Sequence, residues 1–288
     1  MSTRDEFSVA PSRLSIITVT HNRRELLLQK LRALAAQTLS PEHFELVVGV
    51  NGDADGTLEA LQEASAPYRM TVLSFEVPLS VAAARNACAA AATGAVLYLS
   101  DDDCSPHPET LAAHLAAQAA PCVAVGGLEF VHSGQVETWR PKRVSFWNLN
   151  GANVSLPAAA FRAVGGFDER LEGYGGEDVL LGYALHRYGL PFRALPEARA
   201  QHLGPNPVRG GNLHKARSAG RNAARIARQH PELAYRLGVH PALLALKGVA
   251  LRPGALWRAL APERYAYERA YLEGALSERD PASERGTL

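Results

Sequence analysis

Residues 95–103 read Ala-Val-Leu-Tyr-Leu-Ser-Asp-Asp-Asp, an apolar run that ends in three consecutive carboxylates. The run is short and rich in β-favouring residues, which is typical of a buried strand. Carboxylates at the carboxyl end of such a strand point into the crevice where open α/β sheets bind ligands. Like charges this close repel one another, so the triplet forms either a solvated acidic loop or a site for Mg²⁺ or Mn²⁺. We favour the cation site, because such a cation commonly serves a diphosphate.

Three further strand patterns precede the triplet, and each is followed by a helical pattern. Strands are predicted at 14–20, 44–50 and 70–75, and helices at 23–36, 57–64 and 81–92. This alternation predicts an α/β fold with a mostly parallel central sheet flanked by helices. No Gly-x-Gly-x-x-Gly follows the first strand, which argues against a dinucleotide-binding fold.

The pattern changes after the triplet. A strand is predicted at 123–131, helices at 157–164 and 179–188, and a pair of short strands within 192–202. From about residue 204 the composition shifts towards Arg, Ala and Leu with repeated prolines, and a helix is predicted at 213–229. We therefore predict a first domain at 1–205 and a C-terminal helical, basic extension at 206–288.

Composition narrows the class of protein. Of 288 residues, 47% are hydrophobic and 20% charged, which is typical of a soluble chain with a substantial core. The net charge of +1 gives no reason to expect a nucleic-acid partner. The start of the chain lacks an apolar signal segment, so we expect a cytoplasmic protein. Basic and apolar residues alternate in 243–260, as in interfacial helices, so peripheral contact with the inner membrane face is an alternative, and a homodimer contact is another.

Six short motifs occur in a fixed order along residues 14–205. They lie at 15–23 (Ser-Ile-Ile-Thr-Val-Thr-His-Asn-Arg), 51–57 (Asn-Gly-Asp-Ala-Asp-Gly-Thr), 84–86 (Ala-Arg-Asn), 99–103, 165–169 (Gly-Gly-Phe-Asp-Glu) and 176–178 (Gly-Glu-Asp). With them the chain resembles a family 2 glycosyltransferase of the GT-A fold. The resemblance implies transfer of a sugar, with inversion, from a nucleoside diphosphate sugar to an acceptor hydroxyl, with Mn²⁺ or Mg²⁺ as cofactor, in reactions such as polysaccharide biosynthesis. The acceptor would be a glycan, a lipid-linked sugar or a small molecule.

The resemblance places the nucleotide near the ends of the early strands. It implies nucleotide contacts for Thr20, His21, Arg23, Asn51, Asp53, Arg85, Asp101 and Asp102. His21 would stack on the base, or else it is a histidine of a surface turn. Arg85 would reach the diphosphate, or else it forms a surface salt bridge. Val50 stands where the family carries an acid that helps to recognise the base; the expected donor is a UDP-sugar, with GDP- and dTDP-sugars as alternatives.

The resemblance also implies the metal ligands and the base. Asp103 is the first choice for the metal and Asp101 the second. His202 is the third ligand, with His214 as its rival. Asp178, with Glu177 as runner-up, would take the proton of the acceptor hydroxyl; the other reading is an acidic residue stabilised by a helix N-terminus.

The sugars would lie against residues from the middle of the chain. Gly151 and Asn153 are expected to border the donor sugar, and Gly176 to let a substrate approach the backbone. Trp147 would form a stacking platform for the acceptor, or else it belongs to the core. Two other functions share the sheet: a nucleotidyltransferase, which normally has a glycine-rich loop after the first strand, and a non-catalytic carbohydrate-binding protein.

Overall fold

The computed structural model describes residues 14–203, 212–251 and 261–278. These residues form two compact units. The first unit holds 14–79, 83–166 and 182–203, and the second holds 80–82, 167–181, 212–251 and 261–278. The domain boundary predicted at residues 205 and 206 lies outside the described residues, and so do residues 252–260 of the predicted interfacial stretch.

One sheet of nine strands forms the centre of the first unit. The strands are β1 (Leu14–Thr20), β2 (Phe44–Asn51), β3 (Arg69–Phe75), β4 (Val96–Leu99), β5 (Cys104–Pro106), β6 (Val123–His132), β7 (Gln135–Trp139), β8 (Val154–Pro157) and β9 (Phe192–Leu203). Their order is β3-β2-β1-β4-β8-β6-β9-β5, and β7 pairs with β6. The α/β fold class predicted from the sequence is confirmed.

The sheet is parallel over its first four strands. β1 pairs in parallel with both β2 and β4, and β2 with β3. Antiparallel pairing begins where β4 meets β8 and continues between β8 and β6. The carboxyl ends of β1, β2 and β4 therefore lie along one edge of the sheet, because parallel strands end on the same side.

The first helices alternate with the strands as predicted, and several helices begin or end at residues other than the predicted ones. They are α1 (Arg24–Ala35), α2 (Thr57–Glu63), α3 (Val81–Ala91), α4 (Thr110–Ala117), α5 (Ala158–Ala163), α6 (Glu177–Arg187), α7 (Leu213–Gln229), α8 (Pro241–Ala250) and α9 (Pro262–Ser277). None of these described helices is both long and apolar enough to span a bilayer.

Three details of the sheet differ from the sequence-based prediction. The expected pair of strands within 192–202 is the single strand β9, which pairs with β6 across a register shift at Gly126 and Gly127. β5 and the hairpin strand β7 were not predicted. β5 has only three residues, and its pairing with β9 joins segments about a hundred residues apart. A local sequence pattern therefore does not predict β5.

Each unit has its own apolar core. In the first unit, Leu27, Leu31 and Leu34 recur at helical spacing on α1 and pack with the inward residues of β1 and β2, such as Ile16 and Leu46. In the second unit, Ala223 and Ala224 of α7 share a core with Leu272 and Ala275 of α9.

Glu45 is a fully buried carboxylate at the start of β2. It accepts hydrogen bonds from the Ser15 hydroxyl at 2.6 Å and from the Thr93 amide and hydroxyl at 2.7 and 2.8 Å. Burial alone would raise the pKa of the Glu45 carboxyl, but these hydrogen bonds and Arg69 outweigh it, so the pKa lies below its ordinary value of 4.5. This cluster lies at the amino ends of β1 and β2, away from the acidic triplet.

We expect Glu45→Gln to lower the free energy of unfolding by about 1–3 kcal/mol at neutral pH, because the amide accepts weaker hydrogen bonds than the carboxylate. Since the folded-state pKa is depressed, the wild-type advantage is present above the ordinary pKa and is lost as the pH falls through the folded-state value. Urea unfolding across that pH range measures the difference. Glu59→Gln, on an exposed position of α2, is the matched control; an equal effect there would contradict the account.

Candidate active site

The three carboxylates lie where β4 ends and before β5 begins; residues 101–103 are called the acidic turn below. The Cys104 amide donates to the Asp101 carbonyl at 3.0 Å, and the Leu203 amide of β9 donates to the Asp103 carbonyl at 2.8 Å. Asp102 is 5% exposed, and the side chains of Asp103 and Asp101 are 13% and 36% exposed. The turn is held between strands and two of its three carboxylates are mostly buried, so it is not a solvated acidic loop.

A buried lysine of α1 supports the acidic turn from below. The fully buried Lys30 donates to the Ser100 hydroxyl at 2.6 Å and to the Asp101 and Cys104 carbonyls at 2.9 and 3.1 Å. Burial lowers the pKa of Lys30, while the neighbouring negative groups oppose that shift. Sequence reasoning missed this residue; its signal is a lysine at a position of the apolar stripe of an amphipathic helix.

Two arginines neutralise the acidic turn from the side. Arg85 donates to Asp101 at 2.6 Å, and Arg23 donates to Asp102 and Asp103 at 3.0 and 2.9 Å. Burial would raise the pKa of Asp101, but Arg85 outweighs it and the pKa is lowered. Burial raises the pKa of Asp102, and Arg23 opposes that shift only in part. The Thr20 hydroxyl completes the cluster with a 2.9 Å bond to Asp102.

Asp103 and His202 offer the ligand atoms that a divalent cation needs. Their side chains lie 3.6 Å apart between Oδ1 and Nε2, and His202 Nδ1 is a buried atom without a hydrogen-bond partner among the described residues. Cys104 shares this group, whose ligand atoms all lie within 4.8 Å of one another. Burial raises the pKa of the Cys104 thiol well above its ordinary value, which disfavours the thiolate that binds metals. A carboxylate and an imidazole therefore fit the predicted cation.

The rival histidine lies elsewhere in the chain. His214 is exposed on the first turn of α7, in the second unit. His202 instead lies on β9, directly opposite Cys104 of β5 in the antiparallel pairing of these strands.

The remaining predicted nucleotide residues stand at the ends of β1 and β2. His21 is exposed, and its Nδ1 lies 2.5 Å from the Asn51 carbonyl oxygen. The Asn51 side chain forms two bonds with the Leu79 backbone, at 2.8 and 2.9 Å. Asp53 accepts from the Thr57 amide at 2.7 Å at the start of α2. Asn51 and Asp53 thus hold the loops around the site, and their contacts with a nucleotide stay predictions.

Gly151 provides the space that Arg85 occupies. A Cβ atom at residue 151 would lie 2.3 Å from Arg85 Nη2. The guanidinium therefore lies close against this backbone while it bonds Asp101, and Arg85 is only 8% exposed. This is not the surface salt bridge that the sequence left as an alternative.

Asn153 belongs to the core of the first unit. Its carbonyl oxygen lies 2.8 Å from the Tyr98 hydroxyl and 2.9 Å from His114 Nε2, and its amide donates to the Gly127 and Ala198 carbonyls. This side chain has no hydrogen-bonding capacity left for a sugar, so its surroundings do not support the predicted role. Burial also lowers the pKa of His114 to about 4, which leaves that ring neutral at neutral pH.

Trp147 lies in a one-turn 3₁₀ helix at 146–148 and is partly buried. Its ring centroid is 4.7 Å from that of Phe146. Both readings of this residue, acceptor platform and core, remain predictions.

The predicted base lies in the second unit. Glu177 and Asp178 are partly buried and form the first turn of α6, and the Leu180 amide donates to the Gly176 carbonyl at 2.9 Å. Gly175 and Gly176 have φ angles of +92° and +100°, values that side-chain-bearing residues rarely adopt. These glycines are therefore required by the backbone itself, a reason that the sequence did not reveal.

Family models and curated relatives match the chain. The model of the family "Glycosyl transferase family 2" matches residues 15–167, more than half of the chain. A second model, "N-terminal domain of galactosyltransferase", matches residues 134–203. The validoxylamine A glucosyltransferases of two Streptomyces hygroscopicus subspecies, limoneus and jinggangensis, are 32% and 31% identical over 76% of this chain. The chain spans 57% and 61% of their lengths.

Solved structures share the fold. A mannosyltransferase of Pyrobaculum calidifontis, in complex with GDP-Man and Mn²⁺, superposes with a TM-score of 0.66 at 20% identity, over 96% of this chain and 90% of that one. TarS of S. aureus in complex with UDP superposes with a TM-score of 0.60 at 18% identity, over 93% and 92%. The predicted GT-A fold is confirmed.

We expect Gly151→Ala to disturb the site and leave the fold intact. The new methyl group meets the flexible end of Arg85, which can move at little cost but then leaves Asp101. Loss of this charge-assisted bond should weaken binding of Mn²⁺ and UDP by about tenfold, as measured by calorimetry. Gly248→Ala, where a Cβ has nothing within 4 Å, should leave this binding unchanged. Unaltered Mn²⁺–UDP affinity in Gly151→Ala would argue against the role of the Arg85–Asp101 pair.

Proposed function

The chain belongs to glycosyl transferase family 2, and on that premise we propose that it moves a sugar, with inversion, from a nucleoside diphosphate sugar to an acceptor hydroxyl with the help of a divalent cation. The observation that carries the proposal is the acidic turn, where Asp103 lies beside His202 and pairs with Arg23, while Arg85 pairs with Asp101. A carbohydrate-binding protein without catalysis has no need of such a cluster, and a nucleotidyltransferase would normally carry a glycine-rich loop after β1.

The chemistry requires charge compensation at the leaving group. As the bond between the anomeric carbon and the diphosphate oxygen breaks, negative charge grows on the diphosphate. Asp103 and His202 would hold the cation, which supplies positive charge there when bound. Arg23, which follows β1, and Arg85 of α3 add positive charge of their own, and Asp102 and Asp101 keep the two guanidinium groups oriented.

The acceptor requires a base. A sugar hydroxyl is far too weak an acid to attack as an alkoxide at neutral pH. In the proposed step its oxygen bonds to the anomeric carbon from the face opposite the diphosphate, and its proton passes to the Asp178 carboxylate. Glu177, the residue before it, would bind hydroxyl groups of the substrates.

Donor and acceptor are proposed from the relatives. Two of them are named validoxylamine A glucosyltransferases, so a glucosyl nucleotide and validoxylamine A are the first donor and acceptor to test. Structural neighbours bind GDP-Man, UDP and UDP-GlcNAc, which supports a nucleoside diphosphate sugar and leaves the base open. The cytoplasmic location, the membrane contact and the homodimer stay predictions.

The acidic turn is tested by Asp103→Asn. We expect the wild type to hydrolyse at least one of UDP-glucose, UDP-GlcNAc and GDP-mannose in the presence of Mn²⁺. The variant should bind Mn²⁺ at least about tenfold more weakly, because it loses a charged ligand, and hydrolysis should fall with it. Asp168→Asn removes a carboxylate that pairs with Arg170 and serves as control. Mn²⁺ binding by Asp103→Asn at wild-type strength would overturn the metal assignment.

The base is tested by Asp178→Asn. The amide cannot accept the proton, so transfer to validoxylamine A, or to whichever acceptor a screen identifies, should fall by about 10²–10⁴-fold. Binding of Mn²⁺ and UDP should stay unchanged, since the leaving-group machinery is intact. Glu177→Gln is the comparison: a larger loss in that variant than in Asp178→Asn would move the base to Glu177.

A further inference from the structure

The segment before the predicted base is rich in glycine. Residues 172–176, the glycine-rich segment, read Glu-Gly-Tyr-Gly-Gly and lead directly into Glu177 and Asp178. The φ angles of Gly173, Gly175 and Gly176 are +73°, +92° and +100°. Glycine loses more backbone entropy on folding than any other residue. A segment with three glycines in four positions therefore needs contacts from outside to hold one conformation.

α7 supplies these contacts through two buried polar side chains. Ser218 and Asn222 are 0% and 1% exposed and lie one helical turn apart on the same face. The Ser218 hydroxyl accepts from the Tyr174 amide at 2.8 Å and donates to the Glu172 carbonyl at 3.3 Å. The Asn222 amide donates to the Glu172 and Gly175 carbonyls at 3.0 and 2.8 Å. These four hydrogen bonds thus join the two side chains to backbone atoms of the glycine-rich segment.

The packing of this contact explains the glycines. A Cβ at Gly173 would lie 2.4 Å from the Ser218 hydroxyl oxygen, and one at Gly176 would lie 2.9 Å from Ile226 Cδ1. A Cβ at Gly175 would lie 3.0 Å from that of Ala219. The segment lies closer to α7 than residues with side chains allow. The glycines of the segment and the residues that α7 presents to them are therefore both suited to this contact.

The hydrogen bonds of Asn222 indicate that its two amide N–H donors are the important groups of this side chain. Its Oδ1 is buried without a hydrogen-bond partner among the described residues. Such an orphan acceptor costs free energy, and an apolar side chain would avoid that cost. An asparagine here is explained by its two donated bonds, which hold the carbonyls of Glu172 and Gly175.

α7 is itself firmly attached to α9. Gly220 and Gly274 allow the two helices to touch, because a Cβ on Gly220 would lie 2.1 Å from the Tyr271 carbonyl oxygen, and one on Gly274 would lie 2.0 Å from that of Arg217. The ion pair of Arg225 with Glu278 adds to this contact, whereas the pair of Arg217 with Glu273 is exposed and contributes little. The two helices therefore form a rigid support.

We propose that Ser218 and Asn222 are positioning residues: they fix the glycine-rich segment on α7 and thereby fix the backbone from which Asp178 extends. This inference rests on the proposed role of Asp178 as the base. It assigns a catalytic purpose to α7 and, through the contact with α9, to that helix as well.

The test compares Asn222→Asp and Ser218→Ala with Arg217→Gln. Asn222→Asp keeps the volume but replaces the donor by an oxygen that repels both carbonyls. Ser218→Ala removes the partner of the Tyr174 amide. Arg217→Gln breaks an ion pair on the same helix and touches no atom of the glycine-rich segment in the bonds described. The measurements are hydrogen exchange of a peptide spanning 172–180, the rate of hydrolysis of the donor that the wild type cleaves fastest, and affinity for Mn²⁺ and UDP.

We expect faster exchange in both Asn222→Asp and Ser218→Ala, with none in Arg217→Gln. Hydrolysis should fall by about tenfold or more in Asn222→Asp, since a misplaced catalytic group costs that much, while the Mn²⁺–UDP affinity stays unchanged. Faster exchange with an unaltered rate would overturn the inference, and so would an equal loss in Arg217→Gln. If Asn222→Asp does not fold, Ser218→Ala decides by the same criteria. Asp178→Asn distinguishes a failure of this inference from a failure of the proposed base. Hydrolysis at the wild-type rate in Asp178→Asn would reject Asp178 as the base, independently of the result for Asn222→Asp.

Discussion

Three adjacent carboxylates at the end of a buried strand must be balanced by positive charge, and much of the first unit is arranged around that requirement. Arg23 and Arg85 pair with the carboxylates from the side, and Lys30 bonds the backbone of the same turn from below. None of these cations is close to the triplet in sequence. The position of α1 is thus fixed twice, by its leucines against the sheet and by its one buried ammonium group against the acidic turn.

The two ends of the parallel strands carry different kinds of buried polar cluster. At the amino ends of β1 and β2, Ser15 and Thr93 donate to Glu45 Oε1, and Glu45 Oε2 faces Arg69. At the carboxyl ends, Thr20 and the acidic turn form a cluster beside His202, whose Nε2 lies 3.6 Å from Asp103 Oδ1. Buried polar groups occur at both ends, and the second cluster brings a carboxylate and an imidazole within reach of one cation.

The sequence predicted what depends on local pattern. The four parallel strands and the triplet after β4 follow from apolar runs, and the GT-A fold follows from motifs in order. Residues whose role depends on a distant partner were missed or misread. The role of Lys30 follows from its bond to the backbone of residue 101, which is distant in sequence. The role of Asn153 likewise follows from its contacts with Tyr98 and His114. The roles of the site residues, unlike their positions, were drawn from resemblance and stay predictions.

The compact units of the described residues do not follow the order of the chain. The change towards Arg, Ala and Leu near residue 204 marks where helices replace strands. The segment 167–181 precedes that change, yet it groups with α7 and α9. The bonds of Ser218 and Asn222 give the physical reason, since they tie residues 172–175 to a helix that begins about forty residues later. The polar face of α7 and the glycines that it covers therefore constrain each other, and neither can be interpreted from its own stretch of sequence.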